Sequence, residues 1–276
     1  MERLLAKAAR GSPKGAWIHH LVPGHRLFRS PSPRTASAHG SVFKLDISNF
    51  EDWMLYYGYW DSPLDSLLGL IRPGHVIMDI GCNIGATILP MARLAGETGL
   101  VYGFEPDPDT MKNCARNVSL NDLKNIRLHA MALSDLEGTA ALRRGEPRNP
   151  AANRIVAEAA PDDIAVDTTT LDSFVESAGL ERLNLLKIDV EGHEARVLRG
   201  AAKAIRRFQP DMFIEAIDSH LNSSGSSRME LLGMIAGMDY RIADAASGQS
   251  VDPTTGAGLT GSDIIARPAA SRRHPA

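Results

Sequence analysis

"VIMDIGCNIGATILPMAR" (residues 76–93) begins as a buried strand, turns through an acid, two glycines and an asparagine, and closes as a helix. Ile88, Leu89, Met91, Ala92 and Ala95 recur at helical spacing, which predicts a helix from about Ala86 to Ala95. In an open parallel sheet, ligands collect beyond the carboxyl ends of the strands, where strand order reverses, so this joint is the first place to look for a site. Aligned to a dinucleotide fingerprint, it puts Gly81, Asn83 and Ala86 at the three glycine positions. An asparagine side chain obstructs the backbone approach of a pyrophosphate that the second glycine exists to allow. Aligned instead as Gly-x-Asn-x-Gly, the turn keeps Gly81 and Gly85 and presents the Asn83 amide. Such a turn suits a cofactor that lacks a pyrophosphate, its amino-acid end held by backbone groups and Asp79. A phosphate-cradling Gly-Lys-Ser/Thr loop is absent.

Outward from this joint, strand-like and helical runs alternate from residue 71, the pattern of an α/β domain. "LVYGFEP" reads as the second strand, "PDTMKNCARNVSL" as the helix after it, and "NIRLHAMAL" as the third strand. Residues 134–169 are a looser segment with room for extra strands or a substrate loop. "LDSFVESAGL" predicts a short helix, "LNLLKIDV" a central strand and "EARVLRGAAKAIRRF" one helix. "DMFIEAI" is the next strand and "MELLGMIAGM" a helix, with "YRIAD" and "SDIIARP" closing the chain as a hairpin. Residues 49–70 hold two of the three tryptophans and three of the five tyrosines, and read as a helical cap over the cofactor pocket (41–70), or as core packing.

The chain has 276 residues and a net charge of −3, so nothing global draws it to nucleic acid or to an acidic membrane, and no nucleic-acid partner is expected. Residues 1–40 depart from that balance, with seven Lys or Arg against the single acid Glu2, which predicts a flexible basic arm. Residues 269–276 are expected to form a flexible tail, leaving 71–268 as the catalytic domain. There is no apolar run of signal-peptide or membrane-spanning length, and the expected location is cytoplasmic. Cys82 and Cys114 are expected as reduced, buried thiols without zinc spacing. Nothing in the sequence sets an oligomeric state.

Two further clusters fall at the same sheet edge. Glu105 ends the second strand, where an acid can accept both hydroxyls of a ribose; a solvated helix cap is the plainer reading. In "LLKIDVEGHEARVLRG" (185–200), strand alternation puts Leu185, Lys187 and Asp189 on one face. Lys187 needs a partner there, and Asp189 is the nearest acid. Glu191, Gly192, His193 and Glu194 follow, an unusual density of ionisable groups for a ligand edge, although acids in a first helical turn are also favoured by the helix dipole.

"DIGCNIG", "FEPDP", "LDSF", "LLKIDVEGHEARVLRGA", "FIEA" and "DIIARP" stand in the order and spacing of the FkbM-type S-adenosylmethionine-dependent methyltransferases, which the chain resembles over roughly residues 50–268. It departs from that pattern at Cys82, where alanine is usual. The resemblance implies a class I methyltransferase fold, a Rossmann-like sheet of seven strands, six parallel and one antiparallel, with helices on both faces. It implies S-adenosylmethionine as cofactor, held by Asp79, Gly81, Asn83, Gly85 and Glu105, and a small-molecule, sugar or lipid-like hydroxyl as acceptor. Asp189, Glu191 and His193 are the candidates for removing the acceptor's proton, His193 first because its ordinary pKa suits neutral pH. A metal on Asp189, Glu191 and Glu215 is the alternative, but their spacing does not define an octahedral site and none is expected. A nicotinamide-dependent oxidoreductase on a degenerate turn, and a catalytically silent scaffold, are the other classes open to this sequence.

Overall fold

The computed structural model describes residues 2–11, 17–59, 62–146 and 148–269. In chain order its elements are α1 (Glu2–Arg10), β1 (Pro33–Ala38), β2 (Ser41–Asp46), α2 (Phe50–Tyr57), α3 (Ser62–Leu68), β3 (Val76–Ile80), α4 (Ile88–Ala95), β4 (Leu100–Phe104), α5 (Pro108–Ser119) and β5 (Ile126–His129). Then come β6 (Ala132–Leu133), β7 (Gly138–Arg143), β8 (Arg154–Val156), β9 (Ile164–Thr169), α6 (Leu171–Ser177), β10 (Leu185–Ile188), α7 (Glu194–Gly200) and α8 (Ala202–Phe208). β11 (Asp211–Glu215), α9 (Asp218–Ser223), α10 (Arg228–Gly237), β12 (Tyr240–Asp244) and β13 (Asp263–Pro268) complete the chain.

The main sheet has seven strands in the order β12-β13-β11-β10-β3-β4-β5. β13 is antiparallel to both its neighbours, and the pairings from β11 to β5 are parallel, which is the sheet the resemblance implies. Strand order reverses between β3 and β10, which are paired in the centre, so the turns leaving both strands share one edge. All five residues of β3 and all four of β10 are buried, as strands covered on both faces must be. Two apolar clusters fill the layers, one around Leu186, Val197 and Ile214, the other around Phe43, Ile77 and Leu89.

Three local expectations are refined. Residues 134–169 do carry extra strands, β7, β8 and β9, and the expected third strand splits, so that β5 joins the main sheet and β6 a second sheet ordered β6-β9-β7-β8. The predicted 194–208 helix is interrupted at Ala201, whose backbone (φ −110°, ψ 2°) leaves the helical region, giving α7 and α8. The closing hairpin forms as β12 and β13.

The stretch expected to be a flexible basic arm is ordered wherever it is described. α1 buries Ala6 and Ala9 completely, and Arg10 lies against Gly58 so closely that a Cβ there would meet the Arg10 Cα at 2.8 Å. Arg34 makes two hydrogen bonds to the Glu2 carboxylate at 2.6 and 2.8 Å, and β1 pairs with β2 over its whole length. Composition misled because small alanines, not large apolar residues, form the buried stripe, while one of the arginines is spent on the sole acid. Most of the expected 269–276 tail lies outside the described residues. Ala6→Glu should cost on the order of 3 kcal/mol, the scale for an unpaired buried charge, and lower the thermal midpoint. An unchanged midpoint would return this segment to a loose arm.

Candidate active site

The β3 turn is shaped by contact with the neighbouring strand end. Gly81 has φ +81°, and a Cβ there would lie 1.9 Å from the Asp189 carbonyl oxygen, so any side chain would push β3 and β10 apart. Its peptide N–H and that of Cys82 donate to the Phe104 carbonyl at 2.9 and 3.0 Å, fastening the turn to β4. Gly85, φ +93°, faces the other way: a Cβ there would meet Cys114 Sγ at 3.2 Å. It serves helix packing and does not line the pocket, and Asp79, wholly buried, does not line it either.

Asp79 instead holds the joint from behind. Its Oδ2 accepts a hydrogen bond from Thr87 Oγ1 at 2.6 Å, and its Oδ1 faces Lys187 Nζ at 3.3 Å. Lys187 Nζ also donates to the Gly81 carbonyl at 2.8 Å and contacts Asp189 Oδ2 at 3.2 Å. Burial works against the Lys187 ammonium, but Asp189 and Asp79 outweigh it and hold its pKa above the ordinary value.

In front lies a pocket with about 890 Å³ of free space, part of it open to solvent. Gly81, Asn83, Glu105, Asp189, Glu191 and His193 all line it, so six of the eight sequence-predicted residues share one cavity. Met131, Leu133 and Phe104 give it an apolar side, and Leu142 and Ile155 of the second sheet, with Asn153 just before β8, form another wall. Arg144 docks that sheet, donating to Asp107 Oδ2 at 2.7 Å, while Asp107 Oδ1 caps α5 through the N–H groups of Asp109 and Thr110.

Glu105 is buried and is no solvated cap, the capping of α5 falling to Asp107. The two oxygens of Glu105 accept from Asp107 N at 2.9 Å and Asn83 N at 3.2 Å, tying the two turns together, and the residue still lines the pocket. Burial pushes its carboxyl up to about 7.

Burial disfavours the charged form of His193. Its ring is buried, Nε2 lies 2.9 Å from Ser134 Oγ, and burial followed by the charge of Arg196 brings its pKa down to about 4. The imidazole is therefore neutral, with Nε2 engaged by Ser134.

Two residues escaped the sequence reading. Glu51, in the first turn of α2, reaches the pocket and accepts from Asn83 Nδ2 at 3.0 Å. Burial, then Asp189, pushes it up to about 7. The aromatics around it do not line the pocket. Trp53 and Tyr59 stack with centroids 4.8 Å apart and donate to the carbonyls of Pro23 and His19, holding the N-terminal segment. His220 of α9 has Nδ1 3.1 Å from Glu191 Oε2 and 3.3 Å from Glu215 Oε2. The sequence signal for it was an acid ending β11 and a histidine five residues on.

The edge is crowded with acids that hold protons. Burial and then neighbouring carboxylates push Glu191 to about 8 and Glu215 to about 10, and burial takes Glu194 to about 7. Unfolded, each releases its proton near the ordinary value, so their contribution to stability is complete below about pH 4.5 and lost as pH rises through the folded values. His193, lowered in the folded state, has the opposite slope between about pH 4 and 6.5. Above pH 6.5 only the carboxylate slope remains. The urea midpoint of the protein without ligands should therefore fall from pH 6.5 to pH 8; an equal or higher midpoint at pH 8 would show these acids ionised.

Residues 79–242 match the family model described as the methyltransferase FkbM domain. The chain is similar to the 2-O-methyltransferase NoeI of Sinorhizobium fredii, 30% identical over half of this chain and 62% of that protein. It is also similar to the hexuronic acid methyltransferase AglP of Haloferax volcanii, 32% identical over 63% of this chain and 71% of that one. The chain thus spans less than two thirds of the length of NoeI. Among solved structures, a methyltransferase FkbM from Methylobacillus flagellatus aligns over 94% of this chain and 62% of its own, at 16% identity and a TM-score of 0.45. No described helix is long and apolar enough to cross a membrane.

Proposed function

The chain belongs to the FkbM methyltransferase family, and from that premise and its pocket we propose that it transfers a methyl group from S-adenosylmethionine to a hydroxyl oxygen of a carbohydrate-like small molecule. The observation that carries the reading is the convergence of the Gly81 turn, the Asn83 amide and Glu105 on one cavity beside the strand-end acids. S-adenosylmethionine supplies a methyl group on a sulfonium centre, already electrophilic. The chain's task is then to position the acceptor and take a proton.

The donor set fits that cofactor. Glu105 would hold the ribose hydroxyls, and the apolar side formed by Met131, Leu133 and Phe104 would take the adenine. Gly81, Asn83 and Glu51 lie where the amino-acid end would sit, with Asp79 and Gly85 supporting from behind. Glu51, Glu105, Asp189 and Glu191 face a single pocket lysine, a surplus of acid that complements a ligand with a sulfonium and an ammonium group.

For the proton, Asp189 is the pocket acid with a cation directly against it, and Lys187 fixes its carboxylate at the strand end. It takes the role first offered to His193, which keeps a positioning role on Ser134. Two names among the relatives favour an oxygen on a sugar: a 2-O-methyltransferase and a hexuronic acid methyltransferase. A cytoplasmic location remains part of this reading.

Calorimetry should show S-adenosylmethionine binding and no NAD binding; the reverse would favour the oxidoreductase. Glu105→Ala should weaken the cofactor by about 2–3 kcal/mol, the scale of a charge-assisted pair of hydrogen bonds. Asp189→Asn should lower turnover on an acceptor that the wild type methylates by roughly 10²- to 10⁴-fold, the usual scale of general base catalysis. Unchanged turnover there, with a comparable loss in His193→Ala, would restore the histidine as base.

A further inference from the structure

Beside the pocket, three side chains from three elements point their donor atoms at one spot. Glu191 leaves the turn after β10, Glu215 ends β11, and His220 stands on α9. One carboxylate oxygen of each glutamate and Nδ1 of the histidine all lie within 4.8 Å of one another. Their backbone is closely set: Glu191 has φ +54°, and a Cβ on Gly192 would lie 2.2 Å from the His220 carbonyl, so only glycine lets the turn approach α9.

A single ring nitrogen cannot hydrogen-bond fully to two carboxylates, since it offers at most one proton. Neither glutamate is paired with a lysine or arginine among the described residues. Lys187 is already committed to Asp79, Gly81 and Asp189. Separately, Glu194, 1% exposed, has Oε1 bound to two backbone N–H groups and Oε2 buried with no hydrogen-bond partner among the described residues. Its carboxylate thus sits against the turn that carries Glu191, with one buried oxygen left for a ligand to satisfy.

We propose that Glu191, Glu215 and His220 bind one divalent first-row cation of the manganese or zinc kind, which anchors oxygens of the methyl acceptor. Two carboxylates and one imidazole form the mixed oxygen and nitrogen set such ions take, at bonds of roughly 2.0–2.2 Å that place neighbouring donors about 3–4 Å apart. Three protein ligands leave positions open. Glu191 also lines the pocket, so those positions adjoin the acceptor space, and adjacent hydroxyls or a hydroxy-acid of a sugar would fill them. The role assigned to the ion rests on the methyltransferase reading; its binding does not.

The test uses the full chain, stripped with chelator and free of cofactor, titrated with Mn²⁺ by calorimetry and electron paramagnetic resonance. One site per chain is expected, with nitrogen coupling from an imidazole in the pulsed spectrum. Glu215→Gln and His220→Asn should each weaken binding at least tenfold, His220→Asn should remove the nitrogen coupling, and the exposed-acid variant Glu158→Gln should change nothing. No Mn²⁺ uptake by the wild type at millimolar concentration, or uptake without nitrogen coupling, overturns the site without recourse to a variant. Equal binding by both variants overturns it too. S-adenosylmethionine titrated into the same preparation separates the failures: cofactor binding without Mn²⁺ leaves the methyltransferase reading intact and removes the cation, while Mn²⁺ binding without cofactor does the reverse.

Discussion

The carboxyl edge of the sheet depends on one buried ammonium group. Lys187 Nζ joins the Gly81 carbonyl to Asp189 and lies against Asp79, so it ties the ends of the two central strands together. Burying a lysine is unfavourable unless charge and hydrogen bonds compensate it, and here three partners do. The contact has a geometric companion. The Asp189 carbonyl occupies the space where a Cβ on Gly81 would sit. The charge pulls the two turns together, and the glycine lets them meet.

Around that fixed point, acids accumulate on the open side of the sheet. Asp79 lies behind the turn against Lys187, and Glu51, Glu105 and Glu191 face the cavity; burial displaces the pKa values of all four upward. Such displaced groups gather where a protein is arranged for a ligand more than for its own stability. The same acids that weaken the empty protein at high pH are those a cationic ligand would relieve.

The sheet was legible because its strands are buried runs bounded by turn residues, and because β3 and β10 carry their glycines and acids at the ends where ligands bind. Six of the eight proposed site residues meet in the pocket for that local reason. Asp79 fell outside because it lies within β3, held between Thr87 and Lys187, and Gly85 because it faces Cys114 of α5. For His193 the sequence offers only its ordinary titration, whereas burial and the charge of Arg196, both set by the fold, lower it. Glu51 and the order of the N-terminal segment depend on packing across long stretches of chain, which no periodicity records. Glu51 looks locally like any acid in a first helical turn.

The placement of Glu51 gives the start of the chain an influence at a distance. α1 rests on Gly58 at the end of α2, and the first turn of the same helix delivers Glu51 to the Asn83 amide. A substitution that disturbed α1 would thus act on the pocket through a rigid lever of about two turns. Packing outside the cavity thereby sets where one of its acids stands.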